Sequence, residues 1–199
     1  MNYAVIGAAF GDEGKGLITD YLCRLLAVER GQTPLNVRFN GGAQAGHTVV
    51  TNTDRHVFGH IGSGTFAGAR TYLSQDFIVN PLALKKERDI FTATRPIIHP
   101  HAKVTTVFDV TLNVFREVAR GQDRHGSCGM GINETVTRHH AGYELWTADL
   151  NKPELLKSLL TNIHREWFLP KSLELKEKLT RDTYEHYMDL ATVDNELLM

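Results

Sequence analysis

"FGDEGKGLITD", residues 10–20, decides how this chain is read. A short apolar segment, Tyr3 to Ile6 followed by Gly7, precedes it. Leu17, Ile18, Tyr21, Leu22, Leu25 and Leu26 continue from it at helical spacing. The pattern predicts a strand, a glycine-rich loop and a helix. Such a loop exposes backbone N–H groups and a helix N-terminus to anionic oxygens, and Gly11, Gly14, Lys15 and Gly16 suit that use. It is not a Walker A loop. Counting back from Lys15, the required glycine is Ala9, and the hydroxyl that would ligate magnesium is replaced by Gly16. Asp12 is then the nearest oxygen ligand for a hard cation. The plain alternative is a turn whose carboxylates, Asp12 and Glu13, favour the N-terminus of the next helix.

Outward from this loop, Gly31 to Pro34 break the chain and Leu35 to Phe39 read as a second strand ending at Asn40, Gly41 and Gly42, so a β-α-β unit is expected. Thr71 to Leu73 and Phe77 to Val79 read as short strand pieces. Asn80 and Pro81 start a helix towards Phe91, and Ile97 with Ile98 form another strand. Val107, Val110, Leu112, Val114, Phe115 and Val118 predict a long helix ending near Gly121. From Asn151 two helical patterns follow, one through Leu155, Leu156, Leu159, Leu160, Ile163 and Trp167, the other from Ser172 to the end. The final Glu196, Leu197, Leu198 and Met199 lack a cap or polar tail, and the sequence reads as interrupted there.

With 199 residues, 42% hydrophobic, the chain can bury a core, and its formal net charge of −1 gives no basic field for nucleic acid. Two cysteines, Cys23 and Cys128, without CxxC spacing, argue against a disulfide framework or a structural zinc and fit the cytoplasm. The N-terminus has no basic and apolar leader pattern, and no run approaches about 18 apolar residues, so neither export nor a membrane span is expected.

Two further loops carry candidate chemistry. In "RFNGGAQAGHTVV", residues 38–50, glycines at the end of a strand lead to His47, which could stabilise a phosphoryl group or shuttle a proton. In "HGSCGMGINETVTRH", residues 125–139, Ser127, Cys128, the amides of Gly129 and Gly131, and Arg138 supply donors suited to a phosphate monoester. His99, His101, His139 and His140 lack the spacing of one metal-binding helical face. Cys128 as a nucleophile would need a general base that the sequence does not identify.

Jointly these loops resemble the adenylosuccinate synthetase family. Gly11 to Gly16 is similar to its GDEGKG loop, and Asn40 to Thr48 to its GGxNAGHT segment. Phe115 to Gly121 resembles AREKARG, and Gly126 to Ile132 resembles GTTGRGI. The resemblance implies a P-loop-NTPase-like α/β fold, with a mostly parallel central sheet flanked by helices. Residues 1–150 would form the nucleotide-binding domain and 151–199 a helical segment of it. It implies a C–N ligase of purine biosynthesis in which GTP phosphorylates the 6-oxygen of IMP and L-aspartate displaces the phosphate to give adenylosuccinate. By this resemblance Asp12 is the general base and a Mg2+ ligand, joined by the Gly46 carbonyl. His47 steadies the phosphoryl group, and Lys15 holds phosphate. Gly11, Glu13, Gly14, Gly16, Gln44, Ala45 and Thr48 bind nucleotide. Ser127, Cys128 and Gly129 meet the 5′-phosphate of IMP, and Arg138 reaches the phosphate bound by the other subunit of a homodimer.

The sequence departs from the family pattern at several points. Gln44 stands where the family usually has asparagine, and Cys128 replaces a threonine hydroxyl with a poorer donor. The resemblance covers about the first half of a typical member. Phage-type relatives use dGMP and often ATP, yielding 2-amino-deoxyadenylosuccinate. Gln44 and the altered third loop leave that reading open, while Asp12 argues against it, because that group commonly has serine there. A non-catalytic nucleotide-binding module is the other alternative.

Overall fold

The computed structural model describes residues 2–9 and 11–198, apart from the side chains of residues 193, 194 and 196–198. The chain divides into two compact units. One comprises Met1–Phe77 with Leu82–His99, and the other Ile78–Pro81 with Pro100–Met199.

In the first unit, helix α1 spans Lys15–Arg30 and ends where Gly31, at φ 58°, takes the left-handed conformation and donates its N–H to the Ala27 carbonyl. Strands β1 (Leu35–Gly42), β4 (Arg70–Ile78) and β5 (Ile97–Ile98) form a sheet in the order β1-β4-β5. Strand β5 runs parallel to β4, with Tyr72 opposite Ile97 and Leu73 opposite Ile98. The two strand pieces expected around Thr71 and Phe77 are one continuous strand. Between β1 and β4 lies an antiparallel hairpin of β2 (His47–Val50) and β3 (Arg55–Phe58), pairing His47 with Phe58 and Val50 with Arg55. Helix α2 (Pro81–Ile90) follows β4.

The expected strand at Tyr3 to Ile6 is absent, so no β-α-β unit opens the chain. Residues 2–9 make no ladder, and Tyr3 and Ile6 are exposed. A run of apolar residues supplies strand propensity, but pairing makes the strand. β1 stands at the edge of its sheet. β1 also inverts the usual half-buried pattern: Leu35, Val37 and Phe39 are exposed whereas Asn36 and Arg38 are buried. The core beneath the hairpin is aromatic. Phe58 lies fully buried with Val49 and Ile61, and Phe66 and Phe91 pack against it at ring separations of 5.3 and 5.2 Å.

In the second unit, Val79 continues parallel pairing by donating its N–H to Lys103 O and accepting from Thr105 N, each at 2.8 Å. Helix α3 (Val107–Ala119) starts at a capping box in which Thr106 and Asp109 satisfy each other's backbone N–H groups. Its buried face, Phe108, Leu112 and Phe115, meets Phe168 and Tyr184 at ring separations of 5.0 and 5.3 Å. Helix α4 (Ile132–His140) enters so close to α3 that a Cβ on Gly131 would lie 2.8 Å from the Val110 nitrogen. Helix α5 (Pro153–Asn162) passes through a π turn, Ile163–Phe168, into α6 (Leu169–Lys176), and α7 spans Arg181–Leu198. The break between the last helices falls after Lys176 rather than at Ser172, which lies inside α6 and donates its hydroxyl to Leu169 O. Met199 of the expected terminal helix lies outside the described residues. Among the described residues no helix is long and apolar enough to cross a membrane.

Candidate functional site

The glycine-rich loop curls through three left-handed or otherwise positive backbone angles, Gly11 at 124°, Asp12 at 57° and Gly14 at 78°. Asp12 is the one non-glycine residue of this kind among those described. The turn aims the amides of Ala9 and Gly11 at one point, and α1 starts from Gly14 with no side chain capping it. The carboxylate of Glu13 fills the concavity. Its Oε1 accepts the N–H groups of Ala9 and Gly11, each at 3.1 Å, and its Oε2 accepts the Lys15 ammonium. The lysine, then the loop amides, pull the Glu13 carboxyl down to about 2. A Cβ on Gly7 would approach both Glu13 and Lys15 at 2.8 Å, so that glycine gives them room.

His47 begins β2 and lies against the first turn of α1. A Cβ on Gly16 would sit 2.5 Å from the Cβ of His47, so the second motif touches the first through a glycine. Arg38, buried on β1, places Nη1 3.3 Å from His47 Nδ1 and donates from Nη2 to the Ala45 carbonyl at 3.0 Å, while its guanidinium lies 5.2 Å from the Phe77 ring centre. Burial, then Arg38 and Lys15, push the His47 imidazole down to about 4, so the ring is neutral at physiological pH. Lys15, Arg38, Ala45 and His47 line a cavity of about 610 Å³. Gln44, Gly46 and Thr48 are exposed on the loop and strand beside them.

The carboxylate of Glu87 supports this arrangement from α2. It accepts the N–H groups of Gly59, His60 and Ile61 at 2.9, 2.8 and 3.0 Å, fixing the chain just after the hairpin. The sequence reading gave no role to Glu87 or Arg38. No signal in the sequence marked Arg38: the alternation of Leu35, Val37 and Phe39 with polar residues predicts an exposed arginine, and the structure buries it instead.

The third loop lies in the second unit. Ser127 and Cys128 are exposed, and the Ser127 hydroxyl accepts from Asn113 Nδ2 at 3.1 Å. Asn113 Oδ1 in turn accepts the Gly131 N–H. Glu117 accepts the Gly126 N–H at 3.2 Å. Burial would raise its carboxyl, but the amide of Ser127, the charge of Arg120 and the Gly126 amide outweigh it and lower the value.

Arg138 lies in the interior of the second unit. Its guanidinium is fully buried, bound through Nε and Nη2 to Asp109 and through Nη2 and Nη1 to the carbonyls of Val104 and Tyr143. In this structure its donors are taken up by partners within the second unit.

For a divalent cation the donor set is sparse but chemically suitable. Asp12 supplies an exposed carboxylate on the rim of the amide nest and Gly46 an exposed peptide unit. Magnesium commonly takes one or two carboxylates and fills its remaining positions from substrate phosphates and water. Among the described residues no group of three His, Cys, Asp or Glu gathers as a metal cage.

An uncapped helix N-terminus after a glycine-rich loop, with Lys15 and His47 lining one cavity, on an α/β scaffold with parallel strands, defines the P-loop-like class of fold. Comparison with known proteins narrows this. The chain belongs to the adenylosuccinate synthetase family, whose model matches residues 4–197. The adenylosuccinate synthetase of Thermoplasma acidophilum is 34% identical over 166 residues, covering 81% of this chain and 37% of that protein. That of Neisseria gonorrhoeae is 35% identical over 167 residues, covering 80% and 37%. The solved structure of fully ligated adenylosuccinate synthetase from Plasmodium falciparum superimposes with a TM-score of 0.72 at 20% identity over 96% of this chain and 42% of that one. The chain therefore spans less than half the length of these relatives.

Proposed function

We propose that this protein carries the phosphoryl-transfer chemistry of a C–N ligase of purine nucleotide biosynthesis, condensing IMP with L-aspartate at the expense of GTP. The observation that supports it most is the contact of Gly16 with His47, which joins the phosphate loop to a neutral histidine at one cavity with Lys15. In this reading Asp12 takes the N1 proton of IMP, and the 6-oxygen attacks the γ-phosphorus of GTP with GDP leaving. The amino group of aspartate then adds at C6 and phosphate departs. Lys15 and the loop amides hold phosphate oxygens, and the His47 ring donates to the transferring group. Mg2+ fits as a cofactor held by Asp12 and the Gly46 carbonyl, where it would neutralise charge on phosphate oxygens. Gln44, Ala45 and Thr48 keep their assignment to nucleotide, and Ser127, Cys128 and Gly129 to a phosphate monoester. Glu13 has a different part: its carboxylate holds the loop together through the amides of Ala9 and Gly11 and the Lys15 ammonium. No role in substrate binding is assigned to Arg138, and the homodimer inferred from it loses its residue.

Gln44 keeps open a second reading, with dGMP as acceptor and ATP as donor, because it adds a methylene where the family usually has asparagine, while Asp12 argues against it. Phosphate release by the 199-residue chain with Mg2+, aspartate and each pairing of IMP or dGMP with GTP or ATP decides. Aspartate-dependent release with one pairing establishes the ligase and its substrates. Silence with all four from folded protein leaves a nucleotide-binding module.

A further inference from the structure

We propose that Arg38 is a positioning residue that fixes the tautomer and orientation of His47. Resting on the reading of His47 as the donor to the transferring phosphoryl group, the inference adds the group that makes it one.

A guanidinium has N–H donors and no acceptor. At 3.3 Å from Nη1, Nδ1 of His47 therefore has to be the acceptor, and in the neutral ring the proton resides on Nε2. Arg38 thus selects one of two otherwise similar tautomers and leaves Nε2–H as the ring's donor. The arginine is itself restrained. It is only 5% exposed, its second nitrogen is tied to the Ala45 carbonyl two residues before His47, and its flat face lies over Phe77. The rigid fork holds both the ring and the loop that carries it, whereas a lysine could satisfy only one with fixed geometry. Gly16 packs against the stem of His47, since even a methyl group there would collide with its Cβ at 2.5 Å. One histidine is thereby held between a helix N-terminus and a buried arginine.

The test is a long-range proton–nitrogen NMR spectrum of the 15N-labelled chain at neutral pH without substrates, assigned through a His47→Asn control. Nε2–H as the single tautomer is expected, and Nδ1–H or a mixture overturns the proposal. In Arg38→Met, which lacks the donors, the ring is expected to populate both forms, with partial return in Arg38→Lys. A single unchanged Nε2–H form in Arg38→Met overturns it equally. Should Arg38→Met not fold, the wild-type spectrum and Arg38→Lys decide alone. In turnover assays Arg38→Lys is expected to lower kcat by about 100-fold with KM for nucleotide little changed. Loss of KM with kcat intact would overturn the positioning role. Absence of turnover in the wild-type chain removes the ligase reading and leaves the tautomer measurement standing.

Discussion

The Glu13 carboxylate is bound by the Lys15 ammonium two residues on, and through its other oxygen by the amides of Ala9 and Gly11. This is the donor set a phosphate oxygen would otherwise meet. On the proposed reading phosphate would compete with Glu13 for these donors, so Glu13→Gln, which removes the charge but keeps the shape, is expected to bind GTP several-fold tighter by calorimetric titration. Weaker binding by a folded Glu13→Gln would mean instead that the carboxylate shapes the loop.

Asp12 stands at φ 57°, where glycine would be at ease. Asp12→Gly is expected to gain about 0.5–1 kcal/mol of stability and to lose turnover entirely, a trade between backbone comfort and a working carboxylate. Urea denaturation and phosphate release on the same preparation check both halves.

Gly16→Ala sets intrinsic helix preference against a collision. Alanine is the better helix former, yet its Cβ would enter the space of His47. The collision is expected to win, lowering stability by about 1–3 kcal/mol and turnover further. A rise in the denaturation midpoint would refute the close approach.

Arg138 and Asp109, both fully buried, test whether the arginine is structural. Arg138→Met leaves a buried carboxylate unpaired and is expected to cost about 3–5 kcal/mol. Lys85→Ala, removing an exposed partner of Asp89, is expected to change stability by less than about 0.5 kcal/mol. Guanidinium titrations of the two variants make the comparison.

Acid should loosen the fold through two histidines. Burial lowers His60 to about 4 against the pull of Glu87 and with the push of Arg38; burial, Arg138 and Lys103 lower His139 to about 3. Unfolded, each titrates at its ordinary 6.5, so the unfolded chain binds protons first as pH falls. Their contribution is complete above 6.5 and is lost progressively down to the folded values, at up to about 1.4 kcal/mol per pH unit for each. Denaturation midpoints at about pH 7 and about pH 5 should differ less in His139→Gln than in the parent chain.

Much of this was legible in the order of residues. The glycine-rich loop, α1, α3 and the helices after Asn151 follow from glycine placement and periodicity, because those signals are local. What was not legible depends on distant partners. Tyr3 to Ile6 has strand composition and no ladder. Arg38 acts on residues 7 and 9 positions away, and Glu87 on amides 26 to 28 positions away. Arg138 has the chemistry of a phosphate ligand and the surroundings of a core residue, which the sequence around it does not distinguish.

Glu87 also imposes a timetable on folding. The amides of Gly59, His60 and Ile61 find their acceptor 26 to 28 residues later in the chain, so the segment closing the hairpin cannot settle until α2 has formed and docked. Destabilising α2 should appear first as slower refolding of the hairpin, well before it changes the glycine-rich loop.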